Sequence, residues 1–380
     1  MASQTITVKP VEGRADTETF IRLPGQLAAG DPNWVEPLWF ERRRFLTPKH
    51  NPFFQHAEVA LWIARRDGRP VGRISAQIDR LAPDVEGLKP GFFGMLAAED
   101  NRETVAALFA AAEAWLSERG AVVLRGPFDL SVNQTSGLLV EGFDLPPSLM
   151  MGHDQPWMAP AVEALGYAKA QDLVAYRMDC SNGLPDRMRK VSERASEGVE
   201  IRSLNMKRYD DEIRLVTGIF NDAWADNWGF IPLTEAEIDA MAAEMKPIID
   251  PELVKIAEVH GEPAAFIVLL PNVNEAIADL GGRLLPFGWL KLLWRLKVTR
   301  LRTGRVPLMG TTRAQAATML GKMLPLKLIY ALQPRARQHH DLRELELSWL
   351  LEDNWSVRKV VENVGGKHVK TYRVYEKRLG

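Results

Sequence analysis

Val306-Pro307-Leu308-Met309-Gly310-Thr311-Thr312-Arg313 opens the most informative segment of this 380-residue chain. The apolar run reads as a strand, and the turn at Gly310 to Arg313 leads into a predicted helix of small and apolar residues, Ala314 to Leu332. Leu342 to Leu351 is β-rich and stops at Glu352-Asp353-Asn354. Ser356 to Asn363 is a short amphipathic helix closed by Gly365-Gly366, a residue type that tolerates the left-handed conformation at a helix end. His368 to Leu379 reads as the last strand.

Upstream, the same half supplies a strand at Val199 to Leu204, a helix at Asp210 to Trp224, and a hairpin from Leu253 to Leu270 turning at His260-Gly261. The first half repeats this order. Thr5 to Val11 alternates as a strand, Glu18 to Leu27 as a helix, and Glu58 to Ile78 forms a hairpin on the Asp67-Gly68 turn signal. Phe92 to Met95 is a strand, Asn101 to Arg119 a helix with Val105, Leu108, Phe109, Ala112 and Leu116 on one face, and Val122 to Leu124 a strand. Both halves end as helix, glycine, strand: Glu163 to Gly166 then Tyr176-Arg177, and Glu362 to Gly366 then Tyr372-Arg373. Matching order and endings predict two copies of one α/β unit with mixed sheets, 1–180 and 181–380, joined around Asp179 to Val199.

Composition narrows the function classes. Lys plus Arg number 48 against 49 Asp plus Glu, so no net field calls for nucleic acid. The single cysteine, Cys180, excludes an internal disulfide framework or a cysteine metal cluster and suits a reducing compartment. His339-His340 beside Asp341 lack ligand spacing, so no metal site is expected. The Met1 to Thr5 start carries no signal-like pattern, and no apolar run reaches about 18 residues. The expected location is therefore the cytoplasm.

The order strand, helix, hairpin, strand, helix, strand, helix, strand resembles the GNAT acyltransferase fold. In that family an Asn ends the fifth strand and begins a helix of pattern Asn-x-x-Ala-x-x-Leu-Tyr-Glu-x-x-Gly; here Asn354, Val357, Val360, Val361, Glu362 and Gly365 occupy those positions. Val361 replaces the Tyr that often protonates the leaving thiolate. A Gly-rich turn after the fourth strand receives the pyrophosphate of coenzyme A in that family. The corresponding residues are Met309, Gly310, Thr311, Thr312, Arg313, Ala316, Ala317 and Thr318: the Arg is kept, and after Gly310 alanines and threonines stand in place of the family's glycines. In the first half Ala98-Glu99-Asp100-Asn101-Arg102 puts carboxylates there, so that unit is expected to be degenerate, to bind no coenzyme A and to shape an acceptor groove.

Over its whole length the chain is similar to tandem GNAT-like proteins that include the bacterial ceramide synthases. The phrases that carry this are Gly126-Pro127-Phe128, Gly137 to Asp144, Pro146-Pro147, Met150-Met151 and Leu350 to Asn354. The resemblance implies transfer of a fatty acyl group from acyl-coenzyme A, a cosubstrate and not a permanent cofactor, to the amine of a sphingoid base. Transfer to a soluble amine or peptide, or an inactive lipid- or partner-binding protein, are the competing expectations.

Direct attack of an amine on a thioester needs positioning, a base and oxyanion stabilisation. Period-two alternation puts Glu344, Glu346, Ser348 and Glu352 on one strand face, with Glu346 the first candidate base and Asn354 a positioning residue. His153, followed by Asp154, is a second candidate base; Asn133, Asn221, Trp224 and Trp228 are candidate contacts to the acceptor headgroup in a groove between the units. Pro32 to Trp39 reads as an aromatic loop on a groove surface. From Leu284 to Arg305, Trp289, Leu293 and Trp294 interleave with Lys291, Arg295 and further cations without one acidic residue, the pattern of a helix lying on an anionic membrane. The expected placement is peripheral on the inner membrane; the competing expectation is a helix packed on its own sheet with its cations in water.

Overall fold

The computed structural model describes residues 5–181, 183–193, 197–246, 249–338 and 341–379; His339-His340 lie outside them. Contacts divide the chain into two units, and the division differs from the expected cut after residue 180. Unit 1 takes Met1–Leu173, Ile277–Trp289 and Lys370–Gly380, and unit 2 takes Val174–Ala276 and Leu290–Val369.

In unit 1 the strands are β1 (Ile6–Pro10), β2 (Ala57–Arg66), β3 (Arg69–Asp79), β4 (Pro90–Ala98), β5 (Val123–Gly126) and β6 (Leu138–Glu141). Its helices are α1 (Gly13–Leu27), α2 (Trp39–Phe45), α3 (Arg102–Glu118) and α4 (Met158–Glu163). β7 (Ala168–Asp179) starts in unit 1 and ends in unit 2. Unit 2 then has β8 (Val199–Ser203), β9 (Val254–Val259), β10 (Glu262–Pro271), β11 (Thr303–Thr311) and β12 (Glu344–Leu351). Its helices include α5 (Asp186–Glu193), α6 (Tyr209–Trp224) and α7 (Glu235–Met245); α8 (Asn274–Ile277) and α9 (Gly288–Lys297) lie where the chain changes units. After these come α10 (Arg313–Ala316), α11 (Leu324–Gln338) and α12 (Trp355–Asn363), and β13 (Lys367–Arg378) ends the chain.

The closing strands explain the division. β13 runs antiparallel to β5, from Tyr375 opposite Gly126 to Arg378 opposite Val123, so the last strand of the second half completes the sheet of unit 1. Unit 1 is ordered β1-β2-β3-β4-β5-β13, with β6 also on β13. The far end of β7 lies beside β12, giving unit 2 the order β7-β12-β11-β10-β9-β8.

The predicted hairpins form on the same local plan. Asp67-Gly68 and His260-Gly261 both hold positive φ at both turn residues (49° and 82°; 53° and 84°), the backbone that matches strand twist across a two-residue connection. In unit 1, α3 packs with Phe93 and Tyr167 on one sheet face, their rings and that of Phe109 lying 4.8–5.3 Å apart. Phe20 of α1 joins Ile63 and Met95 in a separate cluster. In unit 2, α11 buries Leu328, Ile329 and Leu332 against Ile267, Val306, Leu345 and Leu347, and α6 packs on β10 and β11.

The predicted helix Ala314 to Leu332 is not continuous. α10 ends at Ala316, and a fold-back brings Gly321 so close to Gln315 that a Cβ there would lie 1.8 Å from the Gln315 carbonyl oxygen. α11 starts afresh with Pro325 in its first turn, where a missing N–H costs nothing. The Leu284 to Arg305 segment is likewise no single helix: α9 covers only part of it, and β11 begins at Thr303.

Candidate active site

Unit 2 contains a fork. β11 and β12 pair in parallel from Thr303 opposite Glu344 to Val306 opposite Leu347; both strands then run on, to Thr311 and Leu351. At the apex β11 carries a bulge: Leu270 faces Arg305 and Val268 faces Leu308, leaving Val306 and Pro307 opposite Leu269 alone. Proline cannot donate to a ladder, which is why strands tolerate it at such bulges. Val306 therefore points into the α11 core, whereas Gly310 lies against α6, where a Cβ would come 3.1 Å from that of Ala223. Beneath the apex an apolar cavity is lined by Met178, Cys180, Val306, Ile329, Leu345 and Leu347.

Glu346 and Ser348 come together as their alternation predicts, but they are buried, at 3% exposure each. The Ser348 hydroxyl donates to Glu346 Oε1 at 2.7 Å and accepts from Arg305 Nε at 2.9 Å, while Arg305 Nη2 donates to the Ser348 carbonyl at 3.0 Å. Arg305, opposite Glu346 in the ladder, was expected among the membrane-facing cations of the Leu284 to Arg305 segment but is buried, at 4% exposure, because it lies within β11. Glu344 instead pairs with Arg177 at 3.4 Å, and Glu352 falls past the end of β12. Asn354 caps α12 by accepting from the Val357 N–H at 3.3 Å.

The turn after β11 is tied down by carboxylates. Asp222 of α6 accepts from the Arg313 backbone N–H at 2.7 Å and from its Nε at 3.1 Å; Asp226 accepts from Nη1 at 3.3 Å. Hydrogen bonding from the Arg313 backbone N–H first, and then from its guanidinium, holds the Asp222 carboxyl below the usual range. Thr311 Oγ1 and Asn221 Oδ1 are buried without a hydrogen-bond partner among the described residues. Trp224, the last residue of α6, stacks edgewise on Trp349 at 5.5 Å, and Trp228 follows in the loop after α6.

Val361, at the position of the signature Tyr, is fully buried in the core. A phenol reaches its neighbour from elsewhere: Tyr176 of β7 donates to Glu362 at 2.9 Å and accepts from Arg358 Nε at 2.9 Å. Its signal was the Tyr-Arg pair that ends each half.

No family model matches the chain. It is 52% identical over 376 residues to a protein of Caulobacter vibrioides named "Bacterial ceramide synthase", with 98% of each chain covered. The chain belongs to the bacterial ceramide synthase family. It is also 44% identical over 381 residues to Protein YghO of Escherichia coli, covering 100% of this chain and 97% of that one. Among solved structures, a tandem GNAT protein from the clavulanic acid biosynthesis pathway matches with a TM-score of 0.60 at 14% identity, over 99% of both chains. A GCN5-related N-acetyltransferase from Sphaerobacter thermophilus matches at 0.55 and 13%, over 99% and 96%. The fold is that of tandem GNAT acyltransferases, as expected.

In this ceramide synthase family member unit 1 also has a forked pair, but its own backbone fills the gap. β4 and β5 pair only from Pro90 to Phe92; the Phe128 N–H then donates to the Phe93 carbonyl at 2.8 Å, and Gln77 Nε2 donates to the carbonyls of Phe128 and Leu130. A Cβ at Gly94 would lie 1.7 Å from the Phe128 carbonyl oxygen. The carboxylates expected to repel a phosphate are not bare: Glu99 accepts from Arg66, Arg69 and Thr104. Asn133 sits half-buried in the loop after this plug. His153 is buried and paired with Asp31, not Asp154. In the Pro32 to Trp39 loop both indoles donate to Glu36, at 2.8 and 2.7 Å, and Arg22 stacks on Trp39.

Proposed function

We propose that this chain transfers a fatty acyl group from acyl-coenzyme A to the amine of a sphingoid base, with the donor thioester in the fork of unit 2. The observation that carries this is the ladder that ends at Val306 and Leu347 while both strands continue, in a chain whose Caulobacter relative is named a ceramide synthase. Met309 to Thr318 line the donor's entrance, where Arg313 serves the pyrophosphate by exchanging Asp222 and Asp226 for it. On the α6 side, Trp224, Trp349 and the partnerless Asn221 oxygen suit an acceptor bearing hydrogen-bond donors. Glu346 acts within its buried group with Ser348 and Arg305, and Asn354 fixes the start of α12. Purified protein with palmitoyl-coenzyme A and sphinganine should give free thiol and amide in equal amounts by mass spectrometry; thiol release that ignores the acceptor overturns the reading.

We further infer that α9 places this chemistry at an anionic membrane surface. A helix packed on its own sheet would hide its apolar residues, but α9 exposes Trp289 by 44%, Leu290 by 48%, Leu293 by 48% and Trp294 by 61%. Arg295 turns inward instead, its Nη1 donating to the Ala276 carbonyl at 2.9 Å. Leu285 and Phe287, just before α9 in the chain, are exposed as well, and Lys297 adds positive charge. Each cation near such a surface contributes about 1 kcal/mol. No helix among the described residues is long and apolar enough to cross a membrane. Co-sedimentation with phosphatidylglycerol vesicles should fall about tenfold in a Trp289→Ser, Trp294→Ser double variant; equal binding by both proteins would remove α9 from the membrane contact.

A further inference from the structure

Ile277–Trp289 belongs to unit 1, and the loop it forms there is clamped at its base. Gly281 and Gly282 turn the chain with φ of 52° and 74°. The Trp39 N–H of α2 donates to the Gly282 carbonyl at 3.0 Å, and a Cβ at Gly282 would lie 2.4 Å from Trp39 Nε1, so the indole sits where a side chain would stand. Arg283 stacks over the same ring at 5.1 Å and Arg22 at 4.2 Å. On the far side of the loop the Trp289 N–H donates to the Leu284 carbonyl at 2.8 Å, and a Cβ at Gly288 would lie 2.5 Å from the Arg283 carbonyl oxygen. This base leaves Leu285, Pro286 and Phe287 as the tip.

The tip is apolar and stands in water. Leu285 is 79% exposed and Phe287 72%, while no other large apolar side chain of unit 1 among the described residues exceeds the 47% of Phe40. Phe40 itself follows Trp39 on α2, the element that clamps the loop. A loose loop could fold such side chains back onto the protein. Here the clamped base holds them outward, and their exposure stays unfavourable until something apolar covers them.

Charge and shape select the cover. From Gly281 to Arg305 the chain carries cations and no carboxylate, and the tip runs directly into α9 at Gly288. In α2, Arg42 pairs with Asp129 and Arg43 with Glu18, and Glu41 and Arg44 offset each other in charge, so the exposed Arg283 sets the sign beside the tip. Protein partners bury broad, closely packed patches of many residues. Two raised apolar side chains next to a cation fit instead a fluid anionic layer that closes around them. We propose that the Arg283 to Phe287 loop of unit 1 inserts Leu285 and Phe287 into the headgroup boundary of an anionic bilayer. This rests on the reading of the chain as a membrane-surface protein and adds a contact that belongs to unit 1.

Cys180, the single cysteine, is buried, so a thiol dye reports on an added cysteine with wild-type protein as the blank. The full chain carrying Phe287→Cys or, as a control at the exposed end of α3, Glu118→Cys is labelled with a nitrobenzoxadiazole dye and mixed with phosphatidylglycerol vesicles. Emission from position 287 should move to shorter wavelength and brighten, that from position 118 should hold, and phosphatidylcholine vesicles should give a smaller response at 287. A Leu285→Ser, Phe287→Ser double variant should co-sediment with phosphatidylglycerol about tenfold less. A silent dye at 287 on protein that sediments, or unchanged sedimentation of the double variant, would overturn the proposal. So would a dye shift that grows with protein concentration in the absence of vesicles, since a second copy would then cover the tip. Normal vesicle binding by the Trp289→Ser, Trp294→Ser variant with a responsive dye at 287 would remove α9 and keep the loop; wild-type protein that does not sediment would remove both.

Discussion

The two forks of this molecule begin alike and end differently. Each starts as a short parallel pair, β4 with β5 and β11 with β12, and each carries a bulge on the longer strand, at Met95-Leu96 in one and Val306-Pro307 in the other. β5 stops at Gly126, and the chain turns back through Pro127 so that Phe128 bonds to Phe93 across the gap. β12 instead runs on to Leu351 and enters α12 through the Asn354 cap. On the proposed reading, a repeated scaffold keeps or loses a ligand slot according to where its shorter strand ends. The glycines differ in the same sense: Gly94 and Gly126 admit backbone against backbone, whereas Gly310 borders side chains.

The largest effect should come from breaking the plug. Gly94→Ala would drive a Cβ into the Phe128 carbonyl and destabilise by about 3 kcal/mol, while Gly310→Ala, meeting a ring edge at 3.0 Å, should cost about 1 kcal/mol. Urea unfolding of both variants checks this, and a larger cost at Gly310 would reverse the comparison. Next comes occupancy of the slot. Met309→Trp should weaken binding of a palmitoyl-coenzyme A thioether about tenfold by equilibrium binding, and Gln134→Trp, beside the plugged fork, should leave it within about twofold. Equal losses would mean that unit 1 also takes donor.

The smallest effect tests how dry the interior of unit 1 is. Burial first, with Asp129 adding to it, raises the Asp154 pKa from 3.8 to about 7. The folded state therefore holds a proton that the unfolded chain has released, and stability should decline as pH rises from about 4 to about 7. Asp154→Asn should flatten that decline in urea midpoints taken across the window. An unchanged slope would show that water reaches the carboxylate.

Much of this fold was legible because its signals are local. The two left-handed turn pairs, the strand alternation, and the helix-glycine-strand endings each need only a few neighbouring residues. Glu346 and Ser348 were placed together for the same reason. What stayed hidden depends on distant chain. The helix break at Gly321 needs Gln315 folded back onto it, although Gly321 and Pro325 were visible punctuation. The bulges exist only relative to a partner strand. Arg305 meets Ser348 across 43 positions, and Asp31 meets His153 across 122, where His153 had been matched with its neighbour Asp154. The division into units was missed because nothing within β7 or β13 announces which neighbour each will find.

Synthesis proceeds from the amino end, and this gives the placement of β13 a consequence in time. β5, a central strand of unit 1, lacks its Tyr375 to Arg378 partner until those residues, 251 positions on for Arg125 and Glu376, have been made. Until then a nascent chain presents a bare strand edge, the kind that captures other chains. Chaperone protection should therefore be needed until β13 has emerged from the ribosome, and chains cut anywhere between β5 and β13 should yield aggregated product instead of a working first half.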